Sequence, residues 1–241
     1  MEEEDLIEII DRYVEVNGVQ AAETTLLNRL AQIKKLRDVD TSRKHHLFKD
    51  EADLKMWFTE NMSCDFHIRS EVCGYLNDQK VKIDFMLYPK EHLIDSGFVP
   101  EPFGVEVKYL PVNTRFTKKS SRALWQTVSY NHAKFTAKNG ETYSPKFCVL
   151  FSNLSFKHEH EMLGKYERDA ENDKMQWNGM LHLANHAGVG ILQVRGSRKY
   201  FNGWVLRYAG GVYFSASFYD HQKRYEPSNL KLIDKTRVGN F

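Results

Sequence analysis

Between Lys80 and Tyr130 the chain carries three short runs whose residue spacing restricts what it can become. The first, Lys82-Ile83-Asp84-Phe85-Met86-Leu87, is an apolar run interrupted by one aspartate. The second is Gly104-Val105-Glu106-Val107-Lys108, and the third is a Gln-x-x-x-Tyr from Gln126 to Tyr130. Side chains alternate along a strand. On Val81 to Tyr88 that alternation places Ile83, Phe85 and Leu87 on one face and Lys82, Asp84 and Met86 on the other. On Gly104 to Leu110 it sets Val105, Val107 and Tyr109 against Glu106 and Lys108. If the two strands pair, Asp84, Glu106 and Lys108 converge over one face of a sheet while the apolar residues fill a core. Gln126 and Tyr130, four apart, share one face of a helix.

A chain of 241 residues, 41% hydrophobic and 13% aromatic, has material for one large domain with or without a small extension. The formal net charge of +2 supplies no strong overall field, so nucleic-acid contacts must come from local clusters. Cys64, Cys73 and Cys148 are scattered, with neither zinc-type spacing nor an even disulfide set, which suits a reducing compartment. The acidic start Met1-Glu2-Glu3-Glu4-Asp5 is unlike a signal or transit peptide, and no apolar run reaches the length of a membrane span. The expected setting is the cytoplasm, with no membrane partner.

Helical spacing over residues 5–14 and 20–37, separated by Asn17-Gly18, predicts an N-terminal helical hairpin within residues 1–46. Nothing from Thr24 to Leu30 fixes a groove-reading face, so the hairpin reads as an arm packing on the core or joining two copies into a homo-oligomer. Residues 47–241 make the main domain. A helix capped by Asp50 is expected to Asn61, then strands at Phe66–Val72, Val81–Tyr88 and Gly104–Leu110, with a turn over Gly74–Asp78. A basic loop at 111–120, a helix at 121–137 and a strand at Lys146–Ser152 follow. Ser155 to Lys174 reads as a charged, partly helical, solvated surface, Met175–His186 as a helix and Gly188–Val194 as a strand. A β-hairpin pairs Trp204–Tyr208 with Val212–Ala216, and the basic tail after Asp220 carries no assigned structure. This order predicts an α/β fold, a mixed sheet flanked by helices.

Two carboxylates suit a hard divalent cation, Mg2+ with Mn2+ as its substitute, which keeps several waters and contacts phosphate oxygens. Such an ion lowers the pKa of a water and offsets phosphate charge. Lys108, two residues after Glu106, either orients or deprotonates the attacking water or stabilises developing charge. Gln126 and Tyr130 suit a nucleic-acid backbone or a water at the ion. Arg115, Lys118, Lys119 and Arg122 form a phosphate-binding patch beside the site. His182 and His186 are four apart, but no Glu follows His182 in the metalloprotease pattern, so they read as surface or packing residues.

In this order and setting the motifs resemble the PD-(D/E)XK nuclease superfamily, and Gln126 to Tyr130 is similar to its RecB-like and lambda-exonuclease-like branch. The resemblance covers roughly residues 50–194. It implies a restriction-endonuclease-like core, metal ligation by Asp84, Glu106 and the carbonyl of Val107, and a catalytic role for Lys108. Gln126 and Tyr130 match the third motif. A glutamate on the first core helix often completes the metal site in that family. Glu51 is the best match here, with Glu60 and Glu71 as alternatives. Ile83 stands where the family name has proline, a position that varies within it. The expected function is a Mg2+-dependent nuclease hydrolysing DNA phosphodiester bonds. The rival readings are a catalytically silent nucleic-acid-binding or assembly protein on the same fold, and a transcription factor working through the N-terminal helices.

Overall fold

The computed structural model describes residues 48–111, 116–137, 140–163, 170–208, 211–219 and 222–233. The predicted N-terminal hairpin and Arg115 lie outside the described residues. In chain order the elements begin with α1 (Glu51–Met62), β1 (Phe66–Leu76), β2 (Gln79–Pro89), α2 (Glu91–Asp95) and β3 (Phe103–Lys108). Next come α3 (Phe116–Asn131), β4 (Lys134–Thr136), β5 (Thr142–Tyr143), β6 (Cys148–Ser152), α4 (Lys157–Met162) and α5 (Ala170–His186). The last are β7 (Val189–Gly196), β8 (Phe201–Tyr208), β9 (Gly211–Tyr219) and β10 (Gln222–Pro227).

The described strands form one mixed sheet in the order β10-β9-β8-β7-β6-β3-β2-β1-β4-β5. The most apolar strands sit at its middle. Every residue of β6 is buried, as befits a strand covered on both faces. β6 runs parallel to both β3 and β7, and the other pairings are antiparallel. One face is covered by α1, where Phe58 stacks on Phe85 at 5.2 Å and Trp57 on Phe151 at 6.0 Å. The other face is covered by α3 and α5, whose Leu124 and Trp177 pack with Leu150 and Val189. The architecture is therefore α/β with a large mixed sheet between helices. Among the described residues no helix is long and apolar enough to cross a membrane.

Local chemistry explains where the elements begin and end. Asp50 caps α1 as expected: its backbone is extended and its carboxylate accepts from the Asp53 N–H at 2.9 Å. The turn between β1 and β2 is tighter than predicted, because Leu76 already pairs with Gln79. Asn77 and Asp78 alone make it, at φ 46° and 65°, the backbone that a two-residue hairpin demands. Gly74 belongs to β1 instead. A Cβ there would lie 2.5 Å from the Lys134 carbonyl, so the glycine lets β4 close on β1.

Four other expectations are corrected. The basic segment is helical from Phe116, because buried Phe116 packs edge-on against Trp177 and anchors a first turn. The helix stops at Asn131, whose side chain donates to the Ala187 and Gly188 carbonyls, and 134–136 form a strand. The stretch after Ser155 is not uniformly solvated: Glu159 is buried, accepting from the Phe48 N–H and the Asn153 amide. Burial pushes its carboxyl above the ordinary value, against the pull of those hydrogen bonds. The basic tail contains β10, an edge strand with mostly exposed residues. Charged side chains guard such an edge and hide its strand pattern.

Candidate active site

The predicted alternation on β2 fails at one step, and that step is Asp84. Phe85 and Leu87 pack with Phe58 under α1, whereas Ile83 packs with Met86, Val72 and Tyr130 in a separate cluster. β1 changes with it. Ser70 pairs with Phe85 and Val72 with Ile83, but no Glu71–Asp84 step joins the ladder, and Glu71 takes a φ of 53°. A left-handed conformation costs a non-glycine residue roughly 1–2 kcal/mol. The interruption takes Asp84 out of the regular ladder.

On the other side of Asp84, β2 and β3 part. Their pairing runs from Leu87–Phe103 to Phe85–Val105 and ends there. The Val107 N–H, which the next step of a ladder would have used, donates instead to Asp84 Oδ2 at 2.9 Å. An N–H and C=O of one extended residue point to the same edge. The Val107 carbonyl is therefore also directed to the gap between the strands.

Five charged side chains meet at this gap. Lys55 Nζ lies 2.6 Å from Asp84 Oδ1 and 3.3 Å from Glu51 Oε1. Lys108 Nζ lies 3.2 Å from Glu106 Oε1 and 3.6 Å from Glu51 Oε1. Glu106 is 3% exposed. Burial, then the charge of Asp84, pushes its carboxyl up to about 7, although Lys108 and Lys55 pull it down. Burial pulls the Lys55 ammonium down, but the hydrogen bond and charge of Asp84, helped by Glu51, outweigh it and leave it above its usual value. Lys55 is therefore a fixed cation and not a base. Three acids face two lysines, so Glu106, the most buried of the three, is short of a compensating positive charge.

That shortage bears on the implied metal. Among the described residues no three His, Cys, Asp or Glu side chains are grouped to hold one ion. What remains is a pair of carboxylates, Asp84 and Glu106, beside a backbone carbonyl. A Mg2+-type ion, which keeps most of its waters and uses one or two carboxylates, fits this all-oxygen set. A closed zinc cage does not. Glu51 faces the pair across both lysines. Glu60 is exposed more than two helical turns further along α1, and exposed Glu71 pairs with Lys82 at 2.9 Å, so Glu51 is the glutamate nearest the gap.

The third motif divides. Tyr130 is buried, and its hydroxyl donates to the Lys82 carbonyl at 2.9 Å, two residues from Asp84. Burial, with the charges of Glu106 and Asp84, raises its pKa and keeps it neutral. It thus steadies the interrupted part of β2. Gln126 lies one turn earlier, and its Oε1 is buried without a hydrogen-bond partner among the described residues. Such an orphan is costly unless a donor arrives. Lys118, Lys119 and Arg122 are exposed on the first two turns of α3. Lys55 was absent from the expected set. Its signal was the i,i+4 spacing from Glu51, which marks a helical ion pair but gives no hint of the strand beneath it.

Comparison of the chain with protein-family models, with curated proteins and with solved structures finds no match.

Proposed function

We propose that this protein is a divalent-metal-dependent nuclease that hydrolyses DNA phosphodiester bonds, built on a restriction-endonuclease-like core. The observation that supports the reading best is the meeting of Asp84, Glu106 and Lys108 at the point where β2 and β3 part, with Glu51 opposite them. Asp84, Glu106 and the Val107 carbonyl would hold Mg2+, which supplies charge neutralisation at the phosphate and acidifies a water. Asp84 is oriented for this by the Val107 N–H and by Lys55. Glu106, poorly compensated where it stands, gains most from an added positive charge. Lys108 donates to Glu106 and stands where it would orient or deprotonate a water or steady charge on the phosphate. Gln126 offers a buried acceptor for a water or a substrate hydroxyl.

The test is incubation with linear, circular and single-stranded DNA, in Mg2+ or EDTA, beside Lys108→Ala. Cleavage that needs Mg2+ and disappears in the variant is the expected result. Binding without cleavage in Mg2+ and in Mn2+ would instead identify a catalytically silent DNA-binding protein.

A further inference from the structure

The outer face of α3 carries features that the proposed chemistry does not use. The helix has no acidic residue in sixteen positions, yet it bears Lys118, Lys119 and Arg122. None of the three forms an ion pair among the described residues. Trp125 follows at 72% exposure, although Trp57, Trp177 and Trp204 are all buried. With 3.6 residues per turn, Lys118, Arg122 and Trp125 fall within about 60° of one another. Gln126 lies about 40° beyond Arg122, on the flank that leads to Tyr130 and the carboxylates. On the opposite flank Trp125 forms one wall of an apolar groove of about 260 Å³ between α3 and α5. Leu124, Val128, Met180 and Leu183 line the rest.

We propose that this face receives single-stranded DNA, with Trp125 as the platform for an unpaired base and Lys118 and Arg122 on the neighbouring phosphates. The choice of DNA rests on the nuclease reading; the stacking surface stands on its own geometry. An aromatic ring beside cations fits both parts of a single strand, its base faces and its phosphates. In a duplex the base faces are already stacked, so Trp125 has little to offer there. A second copy of the chain docked symmetrically through this face would set the same cations against themselves. The groove beside Trp125 is apolar and open, suited to the flat face and edge of a base. The face therefore selects unpaired ends or gaps and leads them along α3 toward Gln126.

The experiment uses the full chain in EDTA, where no cleavage interferes. Trp125 is the one exposed tryptophan of the four, so the part of the emission that is lost in Trp125→Phe reports on its occupancy. Titration with oligo(dT) is expected to quench that emission. Trp125→Ala should weaken oligo(dT) binding, read by anisotropy of a labelled strand, about ten-fold. Trp125→Phe should retain most of the affinity, and duplex binding should change less than about two-fold in either variant. Lys118→Gln with Arg122→Gln should lower the salt dependence of single-strand binding by roughly 0.7 for each lost phosphate contact. Equal oligo(dT) affinity in Trp125→Ala and the parent overturns the proposal. So does a change in oligomeric mass with DNA binding unaltered, which would make the groove a protein interface. Quenching without any Mg2+-dependent cleavage would sink the nuclease reading and leave this surface standing. Cleavage with a Trp125-independent affinity would do the reverse.

Discussion

Two buried acids, Asp65 and Glu106, sit in the same domain and live in opposite circumstances. Asp65, between α1 and β1, has its side chain fully covered. Its Oδ2 accepts from Trp204 Nε1 at 2.7 Å and its Oδ1 from the Tyr225 hydroxyl at 2.7 Å, with His92 Nε2 at 3.2 Å. Neutral donors from β8 and β10 thus converge on one carboxylate and tie the far half of the sheet to the end of α1. Glu106 has one lysine at 3.2 Å and a like charge nearby, and its carboxyl is pushed up to about 7. A fully satisfied buried acid fastens a fold. An acid left under-compensated beside another acid leaves room for an added cation, and that difference separates a staple from a site.

The comparison is most severely tested at Asp65. Asp65→Ala strands the buried Trp204 donor and the half-buried Tyr225 hydroxyl and is expected to cost roughly 3 kcal/mol, read by urea or thermal unfolding. A loss under 1 kcal/mol would mean that the hub is ornamental. Lys108→Ala should do the converse. It should remove cleavage by roughly 100-fold or more while the unfolding midpoint stays nearly constant. A variant that unfolds easily would instead place Lys108 among the structural residues.

Glu106→Gln sharpens the contrast through pH. In the folded protein the carboxyl is raised to about 7, so the native state holds a proton more tightly than the unfolded chain. The associated stability is complete below the unfolded value near 4.5 and is lost as pH rises through about 7. In EDTA the parent should therefore lose on the order of 3 kcal/mol relative to Glu106→Gln between pH 4.5 and 8. Glu159, also raised by burial, titrates in both proteins and cancels in the difference. Parallel stability curves would refute the assignment. The smallest effect is expected at Lys55. Lys55→Met removes a part-exposed pair worth about 1 kcal/mol at most. It also leaves Asp84 without its internal cation, so thermal stabilisation by Mg2+ should grow. Unchanged Mg2+ dependence would show that Lys55 does not compete for that carboxylate.

Much of this layout was legible in the chain. The Asp50 cap, the apolar run of β6 and the Glu106–Lys108 alternation are local patterns, and local patterns survive folding when nothing distant opposes them. What was not legible depends on partners far away in sequence. The slip of phase at Asp84 needs Glu71, on another strand, to take a left-handed backbone. Lys118 and Lys119 read as loop because their anchor, Phe116 against Trp177, lies sixty-one residues apart (177 − 116). β10 was hidden because an edge strand is protected by the same charges that mimic a tail.

By itself the sequence determined that Asp84 and Glu106 each lie on an apolar strand among core residues; that the two strands are neighbours came from the fold. It also determined an α/β order of elements, since periodicity and capping act within a few residues. Only the tertiary structure decided that β2 and β3 part at Asp84, that Lys55 and Glu51 face the gap, and that Asp65 rather than Glu106 fastens the sheet. Those outcomes follow from hydrogen bonds and burial between distant segments, such as Asp65 with Tyr225, 160 positions apart. No local pattern encodes contacts of that range, because each partner looks ordinary until the fold brings the other to it.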